Sequence, residues 1–159
     1  MVNRYSRVAG TGSYLPEKVL TNADLAKLVD TTDEWIRTRT GIERRHIVAA
    51  DETSSSMAEH AARRALKAAG LTPADVDFIV VGTTTPDLIF PNTGTLLQHR
   101  LGIHGCPAFS LEAACSGFIF ALSIADKYVR IGESQCALVV GVDCLSRITD
   151  WNDRGTCVL

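Results

Sequence analysis

Cys115 is the residue of this sequence whose type and setting best suit covalent chemistry. It lies in the segment LEAACSGF at residues 111–118, where a short apolar run should turn sharply into a helix. Small neighbours let the backbone turn tightly, and the positive end of a helix dipole favours a reactive thiolate. The pattern therefore indicates a nucleophile. The alternative is a buried structural cysteine, since free cysteine is often buried, and the turn alone does not decide between them.

The other four cysteines have poorer settings for catalysis. They form no C-x-x-C pair and no Cys/His cluster at zinc spacing, and several lie in apolar runs typical of strands. We therefore expect reduced thiols, no structural metal, and packing roles for Cys106, Cys136, Cys144 and Cys157.

Composition excludes several classes of function. The 159 residues are 46% hydrophobic and 21% charged, which is typical of a globular domain. Because 16 basic and 18 acidic residues are scattered along the chain, no basic field indicates a nucleic-acid partner. No apolar run approaches the roughly 20 residues that span a bilayer, so we expect a cytoplasmic protein without membrane insertion.

The first third of the chain predicts short elements. Residues 5–9 read as a strand, and Thr21 with Asn22 can cap a short helix. Thr31 and Glu34 have the spacing of a capping box for a second helix that Gly41 should end.

From residue 53 onward, helix and strand patterns alternate. A helix capped within residues 53–56 should end at Gly70 and carry Met57, Ala61, Ala65 and Ala68 on one face. The later segments are strands at residues 78–82, 108–111 and 137–142, with helices at 93–101 and 116–131. This order predicts an α/β architecture with a mainly parallel, helix-covered sheet. Residues 156–159 form an apolar run, which predicts an interrupted strand and a natural protein that continues.

Several spaced motifs carry a family resemblance. They are ACSGF at residues 114–118, GTGSYLP at 10–16, DEWI at 33–36, RTGI at 39–42 and DRGT at 153–156. In this order they resemble β-ketoacyl-acyl carrier protein synthase III. The resemblance implies a thiolase-like fold with five αβαβα layers, of which residues 1–159 would be the N-terminal half-domain.

The resemblance also implies a reaction. An acyl group from a short acyl-CoA, such as acetyl-CoA, would load onto Cys115 and then condense with malonyl-acyl carrier protein, giving 3-oxoacyl-acyl carrier protein, carbon dioxide and CoA. This acyltransferase would initiate fatty-acid synthesis as a homodimer, with no cofactor beyond the CoA thioester substrate. The backbone N–H of Cys115 would be one oxyanion donor.

The family draws its catalytic histidine and asparagine from the second half, and neither motif is present here. We expect packing or surface roles for the histidines and a helix-cap role for Asn92. The histidines are His46, His60, His99 and His104.

The resemblance assigns a CoA site to four residues. Trp35 and Arg154 would hold the adenine, Arg39 would lie beside the phosphates, and Thr31 would lie near the base. From the residues alone, Trp35 reads as a core residue and Arg39 as a solvated helix residue.

Three further residues match acyl-pocket positions: Thr84, Leu145 and Phe90, the last reaching across the dimer interface. Loop or core packing is the alternative for each. Glu43 stands where some relatives carry a basic residue, a change for which Arg44 and Arg45 could compensate.

Three other functions stay open on the sequence. The chain could be a non-catalytic half-domain that keeps dimerisation or CoA contacts, or part of a related condensing enzyme of polyketide or long-chain ketone synthesis. A cysteine hydrolase would need a general base for water attack, and the sequence offers no convincing one.

Overall fold

The computed structural model describes residues 4–158, which form two compact units. We call residues 4–14 and 53–143 the sheet unit, and residues 15–52 and 144–158 the small unit. In chain order the strands and helices are β1 (Lys18–Thr21), α1 (Asn22–Leu25), α2 (Asp33–Thr40), β2 (Arg44–Ile47), α3 (Ser54–Ala69), β3 (Phe78–Gly82), α4 (Thr93–Leu101), β4 (Ala108–Leu111), α5 (Gly117–Ile131), β5 (Ala137–Gly141) and α6 (Arg154–Cys157).

The sheet unit is a three-layer α/β arrangement. Its strands are all parallel in the order β4-β3-β5, and every residue of the central strand β3 is buried. Ile79 and Val81 pack with α3 and α4, whereas Phe78 and Val80 pack with α5. Side chains of a strand alternate between its faces, so an unbroken apolar strand is what a sheet covered on both faces requires. The α/β prediction is confirmed.

Helix α3 begins and ends where the sequence predicted. Thr53 accepts a hydrogen bond from the Ser56 backbone N–H, and Gly70 ends the helix in the left-handed conformation at φ 69°. The buried face differs from the prediction: it carries Met57, Ala58, Ala62 and Leu66, whereas Ala68 is exposed.

Residues 5–9 are not a strand in the structure, and this prediction is wrong. These residues begin a segment that packs against two helices. The Ser6 hydroxyl donates to Asp126 of α5, and Gly12 lies against α3. A Cβ on Gly12 would lie 2.3 Å from the Ala61 carbonyl oxygen, so only glycine permits this approach. The alanines of α3 therefore pack closely, but against an extended segment.

The small unit contains an antiparallel pair that the sequence did not reveal. β1 pairs with β2 from Lys18 opposite Ile47 to Thr21 opposite Arg44. Both strands are four residues long, and neither KVLT nor RRHI has the apolar alternation that marks a strand in sequence. A separate core of this unit buries Leu25, Ile36, Cys157 and Val158.

Two predicted boundaries in the small unit are corrected. The N-cap of α2 is Thr32, which accepts from the Trp35 backbone N–H at 3.1 Å, and not Thr31 paired with Glu34. The apolar run at residues 156–158 is not a strand: residues 154–157 form a helical turn, because Asp153 caps it by accepting from Gly155. Leu159 lies outside the described residues.

Within residues 4–158, no helix combines the length and apolar character needed to cross a membrane.

Candidate functional site

Cys115 lies on a tight turn between β4 and α5. Residues 114–116 form one turn of 3₁₀ helix, closed by a 3.0 Å hydrogen bond from the Ser116 N–H to the Ala113 carbonyl. Ala114 has a φ of 44°, which no other non-glycine residue among those described shares in sign. Left-handed backbone is costly for a residue with a Cβ and is concentrated at functional sites. The predicted strand-to-helix turn is therefore present, and it is strained one residue before the thiol.

Two glycines bring this turn onto the sheet. A Cβ on Gly82, the last residue of β3, would lie 2.6 Å from the Gly117 carbonyl carbon. The backbone at the start of α5 thus rests directly on the end of the central strand, as only a glycine at position 82 allows. Cys115 is thereby held at the carboxyl edge of a parallel sheet, where open α/β folds bind ligands.

Cys115 is the exposed member of the five cysteines, all of which lie in the described chain. Cys144 and Cys157 are buried, and Cys106 and Cys136 are half-buried. Burial, reinforced by the nearby Asp77 and Asp75 carboxylates, raises the pKa of the Cys136 thiol. The buried structural alternative for Cys115 therefore fails, while its catalytic role stays a prediction.

Thr84 also lies at the carboxyl edge of the sheet, just past β3. Its backbone N–H and its hydroxyl both donate to Asp143 Oδ1, at 2.7 and 2.8 Å. Asp143 follows the end of β5 by two residues. Asp143 is not among the residues that the sequence pattern singled out, although an acidic residue just past a strand of a parallel sheet is a signal for such a position.

Phe90 is 86% exposed on the loop after Thr84. Asp87 fixes this loop by accepting from the Ser55 backbone N–H at 2.9 Å, a favourable position for a carboxylate at the start of α3. Arg100 in turn donates to the Ser55 hydroxyl at 2.9 Å. The Phe90 ring is therefore presented to solvent by a fixed loop.

An open depression of about 710 Å³ lies beside this loop. None of the predicted site residues lines it. Its lining residues are Thr53, Ser55, Glu59, Asp87, Leu88, Leu96, His99 and Arg100.

In the small unit, two arginines lie over the half-buried Trp35 ring. The guanidinium carbon is 4.7 Å from the ring centroid for Arg39 and 4.4 Å for Arg154. Both distances are those of a cation–π contact. Arg154 is therefore already stacked on the indole, and a base entering between the two planes must first displace it.

Thr31 has a buried hydroxyl with no hydrogen-bond partner in the described structure. The residue is 9% exposed, and its neighbour Thr32 takes the helix cap that the sequence had assigned to Thr31. An unsatisfied buried hydroxyl is costly, and such a group calls for a ligand or a water molecule to complete it.

Glu43 and Arg45 both have partners within the small unit. Glu43 pairs with Arg37 at 3.0 Å, and Arg45 donates to Asn22 and to the Val158 carbonyl. Arg45 is thus committed to the inside of the small unit and does not compensate for Glu43. Leu145, on a 3₁₀ turn, is 56% exposed.

Three of the residues not assigned to catalysis have structural partners. Asn92 caps α4 by accepting from the Thr95 N–H, as predicted. His46 Nδ1 lies 2.6 Å from the Pro16 carbonyl, and His60 stacks on Tyr14. Among residues 4–158, no cluster of three or more His, Cys, Asp or Glu side chains could hold a metal ion.

Comparison with known proteins shows which family the chain resembles. A family model described as 3-oxoacyl-[acyl-carrier-protein (ACP)] synthase III matches residues 109–159, which include the Cys115 turn. A β-ketoacyl-[acyl-carrier-protein] synthase III of Xanthomonas campestris pv. campestris (strain 8004) is 65% identical over 155 residues, covering 98% of this chain and 48% of that protein. The chain matches the N-terminal half of the synthase III family.

Solved structures agree with this assignment. The synthase III of Aquifex aeolicus VF5 superimposes with a TM-score of 0.91 at 50% identity, over 99% of this chain and 50% of that one. The priming β-ketosynthase of the R1128 polyketide pathway superimposes with a TM-score of 0.94 at 42% identity, over 99% and 47%. The thiolase-like fold is thus confirmed, and the chain spans about half the length of the synthase III relatives it matches.

Proposed function

We propose that this chain supplies the acyl-accepting half of a β-ketoacyl-acyl carrier protein synthase III. The observation that carries the proposal is the exposed Cys115 on a strained turn at the carboxyl edge of the sheet. The relatives at about half coverage support it, because their printed names describe this synthase. The whole enzyme would be a cytoplasmic homodimer that condenses a short acyl-CoA, such as acetyl-CoA, with malonyl-acyl carrier protein.

In the first step the Cys115 thiolate attacks the thioester carbonyl of the acyl-CoA. A bond forms between Cys115 Sγ and the acyl carbon, the bond to the CoA sulfur breaks, and the CoA thiolate leaves and takes up a proton. Thiolates exchange with thioesters readily, so the step needs an accessible sulfur and a donor for the developing oxyanion. The Cys115 backbone N–H would be one such donor.

In the second step the acyl-enzyme is the electrophile. Malonyl-acyl carrier protein loses carbon dioxide, and its carbanion attacks the acyl carbon, forming a carbon–carbon bond and releasing the Cys115 thiolate. The part of the protein that stabilises the carbanion would lie outside this chain. Cys115 would therefore be first the nucleophile and then the leaving group.

The CoA would bind through the small unit. Trp35 offers an indole face already paired with a guanidinium, and the unpartnered Thr31 hydroxyl offers a polar group for the base. Arg39 would meet the phosphates. For the acyl chain we assign contacts to Thr84, to Leu145 and, from a neighbouring subunit, to Phe90.

A polyketide-priming ketosynthase is the second candidate, because the R1128 enzyme has the same fold at 42% identity. Both candidates use the same acyl-cysteine chemistry. They differ in the acyl carrier protein that accepts the product, so condensation rates with carrier proteins of fatty-acid and polyketide systems separate them.

Condensation by the protein from its complete coding sequence tests the proposal. With acetyl-CoA and malonyl-acyl carrier protein we expect acetoacetyl-acyl carrier protein, and Cys115→Ala should abolish its formation while Cys106→Ala, which changes a half-buried thiol, should not. Product formation that survives in Cys115→Ala at the native rate would contradict the assignment. Steady release of free acetate without carrier protein would instead indicate a hydrolase.

A further inference from the structure

One carboxylate oxygen of Asp143 accepts hydrogen bonds from the segment that follows the central strand β3. Besides the two donors of Thr84, the hydroxyls of Thr83 and Thr85 lie 3.4 Å from the same Oδ1 atom. The Thr85 N–H donates to the Thr83 hydroxyl at 3.2 Å, which links these two threonines directly. The ladder between β3 and β5 ends just before, with the Val142 N–H donating to the Gly82 carbonyl. Asp143 therefore closes the carboxyl end of these two strands.

The contact with Asp143 fixes the direction in which the Thr84 hydroxyl points its hydrogen. Backbone and side chain of Thr84 both donate to one carboxylate oxygen, which permits a single side-chain rotamer. A hydroxyl has one hydrogen to donate, so the exposed Thr84 can offer a ligand only its methyl group and oxygen lone pairs.

The Asp143 contact lies next to the backbone on which the start of α5 packs. Thr83 N is 3.9 Å, and Gly82 Cα 3.4 Å, from the place where a Cβ on Gly117 would lie. The start of α5, two residues after Cys115, thus rests on the Gly82–Thr83 peptide, one peptide before the Thr84 N–H that donates to Asp143.

We propose that Asp143 is a positioning residue that keeps Thr84 from presenting a hydrogen-bond donor to the acyl group on Cys115. The proposal rests on the proposed function, since it takes Cys115 as the acyl acceptor and Thr84 as a pocket residue. Its consequence is a preference for plain hydrocarbon acyl groups. An acyl chain that carries an extra oxygen acceptor finds no donor at Thr84, and burying an unpaired acceptor is unfavourable.

The test is the ratio of kcat/KM for two CoA thioesters, butyryl-CoA and acetoacetyl-CoA, which differ by a keto oxygen at C3. Acylation of Cys115 is measured on the protein from its complete coding sequence. In Asp143→Ala the freed Thr84 hydroxyl can donate to the keto oxygen, so we expect the butyryl preference to fall about three- to tenfold, as for one recovered hydrogen bond.

Thr84→Val separates positioning from a general structural effect. Valine matches threonine in shape and cannot donate, so the single variant should keep the native ratio. The double variant Asp143→Ala/Thr84→Val should regain it, although it lacks the Asp143 carboxylate. Loss of fold or of overall rate cannot produce this reversal, because both thioesters would suffer alike.

Asp143→Asn is the second variant, for use where Asp143→Ala fails to fold. Its amide oxygen can still accept from Thr84 but more weakly than a carboxylate, so a smaller shift in the same direction is expected. An unchanged ratio in both Asp143 variants overturns the proposal, as does a shifted ratio that persists in the double variant. Acylation that continues in Cys115→Ala would instead refute the proposed function, whatever the ratios.

Discussion

The sheet unit and the small unit hold their proposed functional groups in different ways. In the sheet unit, the backbone positions Cys115. Gly82 packs against Gly117, and Ala114, the residue before Cys115, has a positive φ. In the small unit, flexible side chains form the proposed CoA site, with the exposed Arg39 and Arg154 stacked on Trp35. Chemistry on a bond needs a fixed nucleophile, whereas binding a base tolerates partners that move aside and return.

Thiol reactivity should show the largest effect. We expect iodoacetamide to modify the exposed Cys115 on the order of a hundredfold faster than the buried Cys144 and Cys157. Peptide mapping of the native protein at pH 8 measures the rates, and the same protein in urea is the control, in which all five cysteines should react at similar rates. Rapid modification of Cys157 in the native state would show that the small-unit core opens readily.

The pH dependence of the same experiment has a definite sign. Because burial raises the pKa of the Cys136 thiol, its thiolate forms at higher pH in the folded protein than in urea. The folded state therefore keeps the proton that the unfolded state loses, and Cys136 favours folding fully below the unfolded pKa and less as the pH rises through the folded one. The rate–pH curve of Cys136 should move to higher pH on folding; a move to lower pH would contradict the environment described.

The glycine contact should be asymmetric under substitution. Gly82→Ala places a Cβ 2.6 Å from Gly117 backbone and should lower the free energy of unfolding by about 2 kcal/mol, as overpacking does. Gly117→Ala meets Gly82 Cα at 3.4 Å, an ordinary contact, and it improves helix propensity. Chemical denaturation of both variants measures the difference. Equal losses in the two would mean that α5 does not rest on β3 as described.

Removing the indole should weaken CoA binding without touching the nucleophile. For Trp35→Ala we expect the Kd for CoA to rise about tenfold, the range of one lost base–aromatic stack. The alkylation rate of Cys115 should stay unchanged. Trp35→Phe, which keeps an aromatic face, is the matched control and should lose less. Calorimetric titration gives the Kd, and an unaltered value in Trp35→Ala would remove the small unit from CoA recognition.

Arg154 should give the smallest effect, because its stacking on the indole must break before a base enters. We expect Arg154→Ala to raise the Kd for CoA about threefold, since the cation–π energy gained with the base is offset by the cation–π energy given up with Trp35. Arg154→Lys should lie between. Tighter binding in Arg154→Ala would show that this side chain blocks the site instead of completing it.

Most of the sheet unit was predictable from sequence, and the reason is physical. Residues 78–82 form the apolar run that a strand with helices on both faces requires. Asn92 and Gly102 cap the two ends of α4. The Cys115 turn followed from its small neighbours. Its strain did not, because an alanine gives no sign in the sequence that its φ will be positive.

The small unit was less predictable because its elements are short and polar. The strands β1 and β2 carry no alternation, and two adjacent threonines, Thr31 and Thr32, offer equivalent caps. A shift of one residue between them decided which hydroxyl is left unpartnered. The roles of Trp35 and Arg154 came from the family resemblance, since nothing in their spacing alone distinguishes a stacked ligand site from a helix surface.

The central claim is that Cys115 accepts the acyl group. Intact-mass spectrometry of the protein from its complete coding sequence, mixed with acetyl-CoA and no carrier protein, tests it most directly. We predict one added acetyl group, located on Cys115 by peptide mapping, removed by hydroxylamine, and absent in Cys115→Ala but present in Cys106→Ala. Acetylation that persists in Cys115→Ala, or that maps to another cysteine in the native protein, would contradict the account.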